Sequence, residues 1–298
     1  MQWITFNDVT KRFGSVTALD RLSFQIPGGR LTGFLGPNGA GKTTSFRAAL
    51  GLTRLTNGTI EIFSMKVGPD NADIVKQVGA VVEGPGHHEG LTARDNLRIA
   101  AHELGRGHEQ IDDLLERVGL AEVGGRKVGG FSKGMAQRLG VAAAMLGDPQ
   151  ILFLDEPLDG LDPAGQVAFK AQLRSMVVDE GRTVVVSSHD LADVEELADH
   201  IVVIDRGQLV IAGDKTELLG DVGRYRVEVE QRNAAADALR KNGFEVHEDE
   251  EGLAVATDDG AAISRTLAGV GLYPSSLVPK ASSLEEMFLR LTNQESNE

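Results

Sequence analysis

The stretch GPNGAGKTT, Gly36 to Thr44, constrains this chain more than any other. It matches G-x-x-x-x-G-K-[ST], a loop that cradles phosphate and requires a strand before it and a helix after it. Both are legible. Residues 31–35, LTGFL, form an apolar run suited to a short buried strand, and Ser45–Leu50 can continue as a helix. Gly36, Gly39 and Gly41 let the backbone curl so that its N–H groups turn inward. Asn38, Ala40 and Thr44 fall within the same loop. The following helix adds the positive end of its dipole. In this geometry Lys42 reaches the β- and γ-phosphates and the Thr43 hydroxyl ligates Mg²⁺. A glycine-rich turn could match by chance, but not with a strand and a helix in place. The implied ligand is a nucleoside triphosphate.

Composition narrows the partners. The 298 residues are 41% hydrophobic, enough for one large or two moderate domains with a sizeable core. Thirty Lys and Arg against 44 Asp and Glu leave a net charge of −14, which disfavours nucleic-acid backbones and anionic lipid surfaces. The absence of cysteine excludes disulfides and thiolate metal sites. No apolar run is long enough to span a bilayer, and the first residues carry a charge at Asp8 without a signal-peptide core. The expectation is a cytoplasmic chain that meets a membrane only through a partner.

Taken in order, residues 1–30 alternate like a small antiparallel β unit, with Phe13 in the polar turn KRFGS. There it could stack on adenine or pack on the sheet edge. Gly58–Phe63 and the segment ending Val78–Val82 are further strands, the latter leading to Glu83 and the breaker-rich loop GPGHHEGLT. Residues 92–145 read as helical, and within FSKGMAQRLGVAAAML a helix Lys133–Leu146 has Ser132 as its cap. Ile151–Leu154 is a buried strand delivering Asp155 and Glu156. After helix Ala164–Val178 and strand Thr183–Val186 comes Ser187-Ser188-His189, then a hairpin around Arg206-Gly207-Gln208. Past Gly213 the pattern suggests a small α+β appendage, closing with a helix Ser283–Leu291 opened by a capping box at Ser283 and Glu286.

The phosphate loop, FSKGMAQR, ILFLDEP with LDGLD, and SSHD, in that order, resemble the ATP-binding cassette of ABC transporters over residues 2 to about 215. Each later motif is weak alone; the ordered set is specific. The resemblance implies an α/β P-loop fold: a RecA-like core, an antiparallel β subdomain and a helical subdomain at about 84–148. The division expected is a cassette at 1–220 and an accessory α+β domain at 221–298. The implied cofactors are ATP and Mg²⁺. Asp155 would hold the Mg²⁺ shell, Glu156 would polarise the attacking water, and His189 would contact the γ-phosphate, although a lone strand-end histidine is usually ordinary. Phe13 falls at the adenine-stacking position, and Asp162 matches a loop that communicates across a cassette dimer. Asp-Pro is also a common helix start.

Two motifs depart from the family pattern. The signature, usually LSGGQ, reads Phe131-Ser132-Lys133-Gly134-Met135. Ser132 and Gly134 remain, and they would meet the γ-phosphate bound by the opposite subunit. At the strand end where cassettes usually have Gln stands Glu83, still an oxygen ligand for Mg²⁺ but one more negative charge near the phosphates. This variant resembles cassettes of lantibiotic-immunity and peptide-antibiotic exporters. His87 and His88 lack helical ligand spacing for a metal and are better read as part of the surface receiving the partner's cytoplasmic helix. The appendage resembles the extension on drug-export cassettes; a stabilising cap is the plain alternative. The expected protein is the ATPase subunit of an ABC-2-type exporter, a homodimer docked on a separate membrane permease. Two rivals are a soluble non-transport ABC ATPase, which would carry a second cassette or a coiled coil and a basic surface, and a regulatory cassette with little turnover.

Overall fold

The computed structural model describes residues 2–68, 74, 77–84, 86–219, 224–249, 252–257, 259–280 and 284–285. Contacts divide the chain into two units, 1–214 and 215–298. The boundary expected after residue 220 falls among residues outside the described set.

The first unit opens with the long strands β1 (Gln2–Phe13) and β2 (Val16–Pro27), joined at Gly14. Strand β3 (Leu31–Leu35) is buried at every position and runs straight into the phosphate loop and α1 (Lys42–Ala49). The helix therefore begins inside the motif, at Lys42 rather than Ser45. Gly41 at φ 108° makes this early start possible, because only glycine adopts that backbone without strain. Strands β4 (Asn57–Ile62) and β5 (Met65–Lys66) return to β1, giving an antiparallel sheet in the order β2-β1-β4-β5.

Strand β6 (Val78–Val81) leads to three helices, α2 (Ala93–Glu103), α3 (Ile111–Arg117) and α4 (Lys133–Ala144). The chain re-enters the core as β7 (Ile151–Leu154), followed by α5 (Pro163–Val178), β8 (Thr183–Ser188), α6 (Leu191–Leu197), β9 (His200–Asp205) and β10 (Gln208–Asp214). The second sheet has the order β10-β9-β3-β8-β7-β6 and is parallel except for β10. Arg206 and Gly207, both at positive φ, close the β9–β10 hairpin as a primed turn requires. A file of rings, Phe6, Phe24, Phe34, Phe46 and Phe153, with neighbouring centroids 4.3–5.7 Å apart, locks the two sheets and α1 into one core. The phosphate loop thus stands on a packed base.

The second unit holds α7 (Lys215–Leu219), β11 (Arg224–Glu228), α8 (Arg232–Lys241), β12 (Glu245–Asp249), β13 (Gly252–Ala256), α9 (Gly260–Gly269) and β14 (Ser276–Lys280). Its antiparallel sheet has the order β12-β13-β11-β14, and Leu239, Leu253, Val255, Ile263 and Leu267 form its buried core. Strand β14 is missed by sequence reasoning. Pro279 argues against a central strand, but an edge strand tolerates it. The expected helix Ser283–Leu291 lies almost wholly outside the described residues.

Candidate functional site

Strands β3, β8 and β7 are adjacent and parallel, so their C-terminal ends bring the phosphate loop, Ser187–His189 and Asp155–Glu156 to one edge. Such an edge is where α/β sheets bind ligands. In the loop, a Cβ on Gly36 would lie 2.3 Å from the Ile204 carbonyl oxygen, and one on Gly41 would lie 2.8 Å from that of Ala18. Gly39 takes φ 83°, Asn38 is exposed, and Ala40 is buried. Larger residues at 36 or 41 would push the loop out of its curl. Among the described residues no side chain caps α1, which leaves its first-turn N–H groups open to the loop, as an anion site needs. Thr44 lies in that first turn, half-buried.

Lys42 curls back over the loop. Its Nζ donates to the carbonyls of Gly36 at 2.7 Å and Pro37 at 3.3 Å, and lies 3.2 Å from Glu156 Oε1. The side chain is only 6% exposed, so its charge acts in a low-dielectric setting. Thr43 Oγ1 donates to Asp155 Oδ2 at 2.8 Å. Ser187 Oγ donates to Asp155 Oδ1 at 2.5 Å and accepts the backbone N–H of Glu156 at 2.8 Å. Glu156 itself takes φ 47°, a left-handed turn that aims its carboxylate between Lys42 and His189, whose Nδ1 is 3.0 Å from Oε2. Lys42, Thr43, Asp155, Glu156 and His189 therefore form one wired cluster. Ser187 ties the Asp155 carboxylate to the Glu156 backbone and was not singled out from sequence. The available signal was a buried hydroxyl ending the apolar run of β8.

Two donor sets suggest themselves for a divalent cation. Glu156, Asp159 and His189 bring ligand atoms within 4.8 Å of one another. A cation among them would face the Lys42 ammonium through Glu156. Thr43 and Asp155 instead supply hard oxygens at the foot of the loop, which suits Mg²⁺ and leaves Glu156 for another task. The residues present fit both a triphosphate and Mg²⁺.

The remaining predicted residues stand elsewhere in the first unit. Glu83 follows β6 at φ 61° and pairs with Arg47 of α1. Phe13 is 51% exposed at the β1–β2 turn, with Lys11 Nζ 4.5 Å from its ring centroid. Its ring is thus open rather than packed away. Ser132 caps α4, accepting from Met135 N at 3.2 Å, and is exposed. A Cβ on Gly134 would come within 2.9 Å of Leu161, so the start of α4 rests against the loop that carries Asp162. Asp162 is the exposed N-cap residue of α5. Among the described residues, no hydrogen bond or ion pair ties Ser132, Gly134 or Asp162 to the Lys42–Glu156 cluster.

His87 Nε2 donates to the Ala136 carbonyl in the first turns of α4 at 2.9 Å, and burial holds its ring below the usual imidazole range. The backbone N–H of His88 donates to Asn96 Oδ1, and the Asn96 amide donates back to the His88 carbonyl. Both histidines thus belong to a braced loop. Val82, Gly84, His87, Asn96, Ala100 and Gly140 border a cavity of about 230 Å³ between β6, α2 and α4.

Residues 19–159 match the ABC transporter domain family. The chain is 36% identical to the ABC transporter ATP-binding protein YhcH of Bacillus subtilis over 99% of this chain and 97% of that one. The chain belongs to the ABC transporter family. This ATP-binding cassette is also 43% identical to the bacitracin transport ATP-binding protein BcrA of Bacillus licheniformis over 70% of this chain and 68% of that one. It is 35% identical to the daunorubicin resistance ATP-binding protein DrrA3 of Streptomyces coeruleorubidus, over 98% and 96% respectively. Its fold matches cbiO1 from Clostridium perfringens with a TM-score of 0.67, at 22% identity over 74% of this chain and 92% of that one. Like its family, the cassette binds and hydrolyses ATP. Among the described residues, no helix is long and apolar enough to cross a membrane.

Proposed function

We propose that this cassette is the ATPase subunit of an ABC-2-type exporter for a drug-like or peptide-antibiotic substrate, docked at the cytoplasmic face of the membrane on a separately encoded permease. The observation that carries this reading is similarity beyond the cassette: the relatives named for daunorubicin resistance align over nearly the whole chain, second unit included. BcrA of Enterococcus faecalis, named for bacitracin transport, does so as well, over 97% of this chain. The second unit is then an accessory domain of this branch.

In the proposed site Phe13 stacks on adenine and the backbone of Gly36, Asn38, Gly39, Ala40 and Gly41 cradles the phosphates, with Thr44 in the helix turn beneath. Lys42 meets the β- and γ-phosphates. Thr43 and Asp155 hold Mg²⁺, with Glu83 as a further oxygen donor. When bound, the metal neutralises charge across the β- and γ-phosphates. Glu156 accepts a proton from the attacking water, and His189, whose Nδ1 touches Glu156, orients that carboxylate and faces the γ-phosphate. The exposed Ser132 and the half-buried Gly134 complete the site of a second copy in a homodimer, and Asp162 reports closure to it. The cavity beside His87 receives a cytoplasmic helix of the permease. A regulatory cassette without turnover would not need the full set of Lys42, Asp155, Glu156 and His189.

The test is co-purification with the membrane subunit followed by drug susceptibility of cells carrying the pair. The pair should raise tolerance to at least one antibiotic or cytotoxic drug. A partner that imports a nutrient, or no membrane partner at all, would overturn the exporter reading.

A further inference from the structure

Glu83 is placed with unusual care for an exposed side chain. Glu83 and Gly84 take φ 61° and 89° in succession, so the chain turns sharply as it leaves β6. A left-handed glutamate is uncommon and persists where its surroundings favour it. The turn sends the carboxylate to the guanidinium of Arg47, with which it is hydrogen-bonded. Arg47 lies four residues beyond Thr43 on α1, hence on the same face and about one turn, roughly 5.4 Å, further along. Meanwhile the Asp155 N–H donates to the Val81 carbonyl at 2.8 Å, which fixes the end of β6 beside the Thr43–Asp155 pair. The Glu83 carboxylate is therefore paired with a residue one turn beyond Thr43, at the end of a strand tied to Asp155, and among the described residues it makes no hydrogen bond or ion pair with Thr43 or Asp155.

We propose that Arg47 is the positioning residue for Glu83, pairing with its carboxylate and keeping it from the metal donors while Mg²⁺ is not bound. This rests on the reading of Glu83 as a Mg²⁺-side residue and explains how a carboxylate works there. A free carboxylate beside an incoming triphosphate is repulsive; paired with Arg47, it is nearly neutral. The pair is about half exposed on both sides, 45% for Arg47 and 54% for Glu83, so it is screened and weak enough to exchange. A doubly charged cation with phosphate oxygens around it outcompetes one guanidinium. A glutamine at 83 would need no such holder.

The test measures binding alone, using the non-hydrolysable analogue AMP-PNP on the full chain, once with EDTA and once with Mg²⁺. In Arg47→Gln, the metal-free Kd should rise about three- to fivefold, as expected for an exposed pair, while the Mg²⁺ Kd stays level or falls. Arg47→Lys, which keeps the charge, should restore the wild-type ratio of the two constants. In a Glu83→Gln background, Arg47→Gln should leave that ratio unchanged. Equal shifts of both constants in Arg47→Gln, or a changed ratio that persists in the Glu83→Gln background, would overturn the role of Arg47 and leave the cassette reading intact. Wild-type protein that binds AMP-PNP in neither condition would overturn both.

Discussion

Two serines of this cassette make the comparison that matters. Ser187 is buried at the end of β8 and joined to Asp155 and Glu156. Ser132 is exposed at the start of α4, and its hydroxyl accepts the Met135 N–H to cap its own helix. On the proposed reading both serve a bound triphosphate, yet one lies in a closed network and the other faces outward. A buried polar group without partners is costly, so the network around Ser187 has to be satisfied within the chain. An exposed cap carries no such demand and is free to meet a ligand from another molecule. On the proposed reading, the difference separates two halves of a site: one finished in this chain, the other to be completed by a second copy.

The contrast can be broken at its strongest point first. Replacing Glu156 with Gln removes the proposed proton acceptor but keeps the shape, and should lower ATP turnover by about 10²- to 10⁴-fold. Nucleotide binding should persist, measured with labelled ATP; loss of binding with turnover would mean that Glu156 serves the loop and not the chemistry. Next, Ser187→Ala leaves Asp155 and the Glu156 N–H each short of a partner and should cost about 1–3 kcal/mol in denaturant unfolding. Ser132→Gly, by contrast, should cost only about a few tenths of a kcal/mol, as for an exposed cap, while still lowering turnover. Equal stability losses at the two serines would erase the distinction between the halves.

How much was legible beforehand follows the same division. The phosphate loop, the carboxylates after Ile151–Leu154 and the histidine after Ser188 are local patterns at strand ends, and a buried parallel sheet leaves little choice about where they meet. Ser187 and Arg47 were not legible as contacts. One depends on β8 lying beside β7, the other on a turn after β6 meeting the outer face of α1. The helix start at Lys42 was hidden because Gly41 reads equally well as a loop residue. In the second unit, β14 was obscured by Pro279, whose missing N–H is harmless only at a sheet edge.

The most direct test of the divided site mixes two inactive variants. Glu156→Gln spoils the half built around the phosphate loop, and Gly134→Asp spoils the half offered outward by α4. A dimer of one of each holds one site with both defects and one with neither. Mixed in equal amounts and allowed to exchange, the two should recover about a quarter of wild-type ATPase activity, since half the dimers are mixed and each has one intact site. Activity that stays at the level of the separate variants, with mixed dimers verified by affinity tags, would contradict the account.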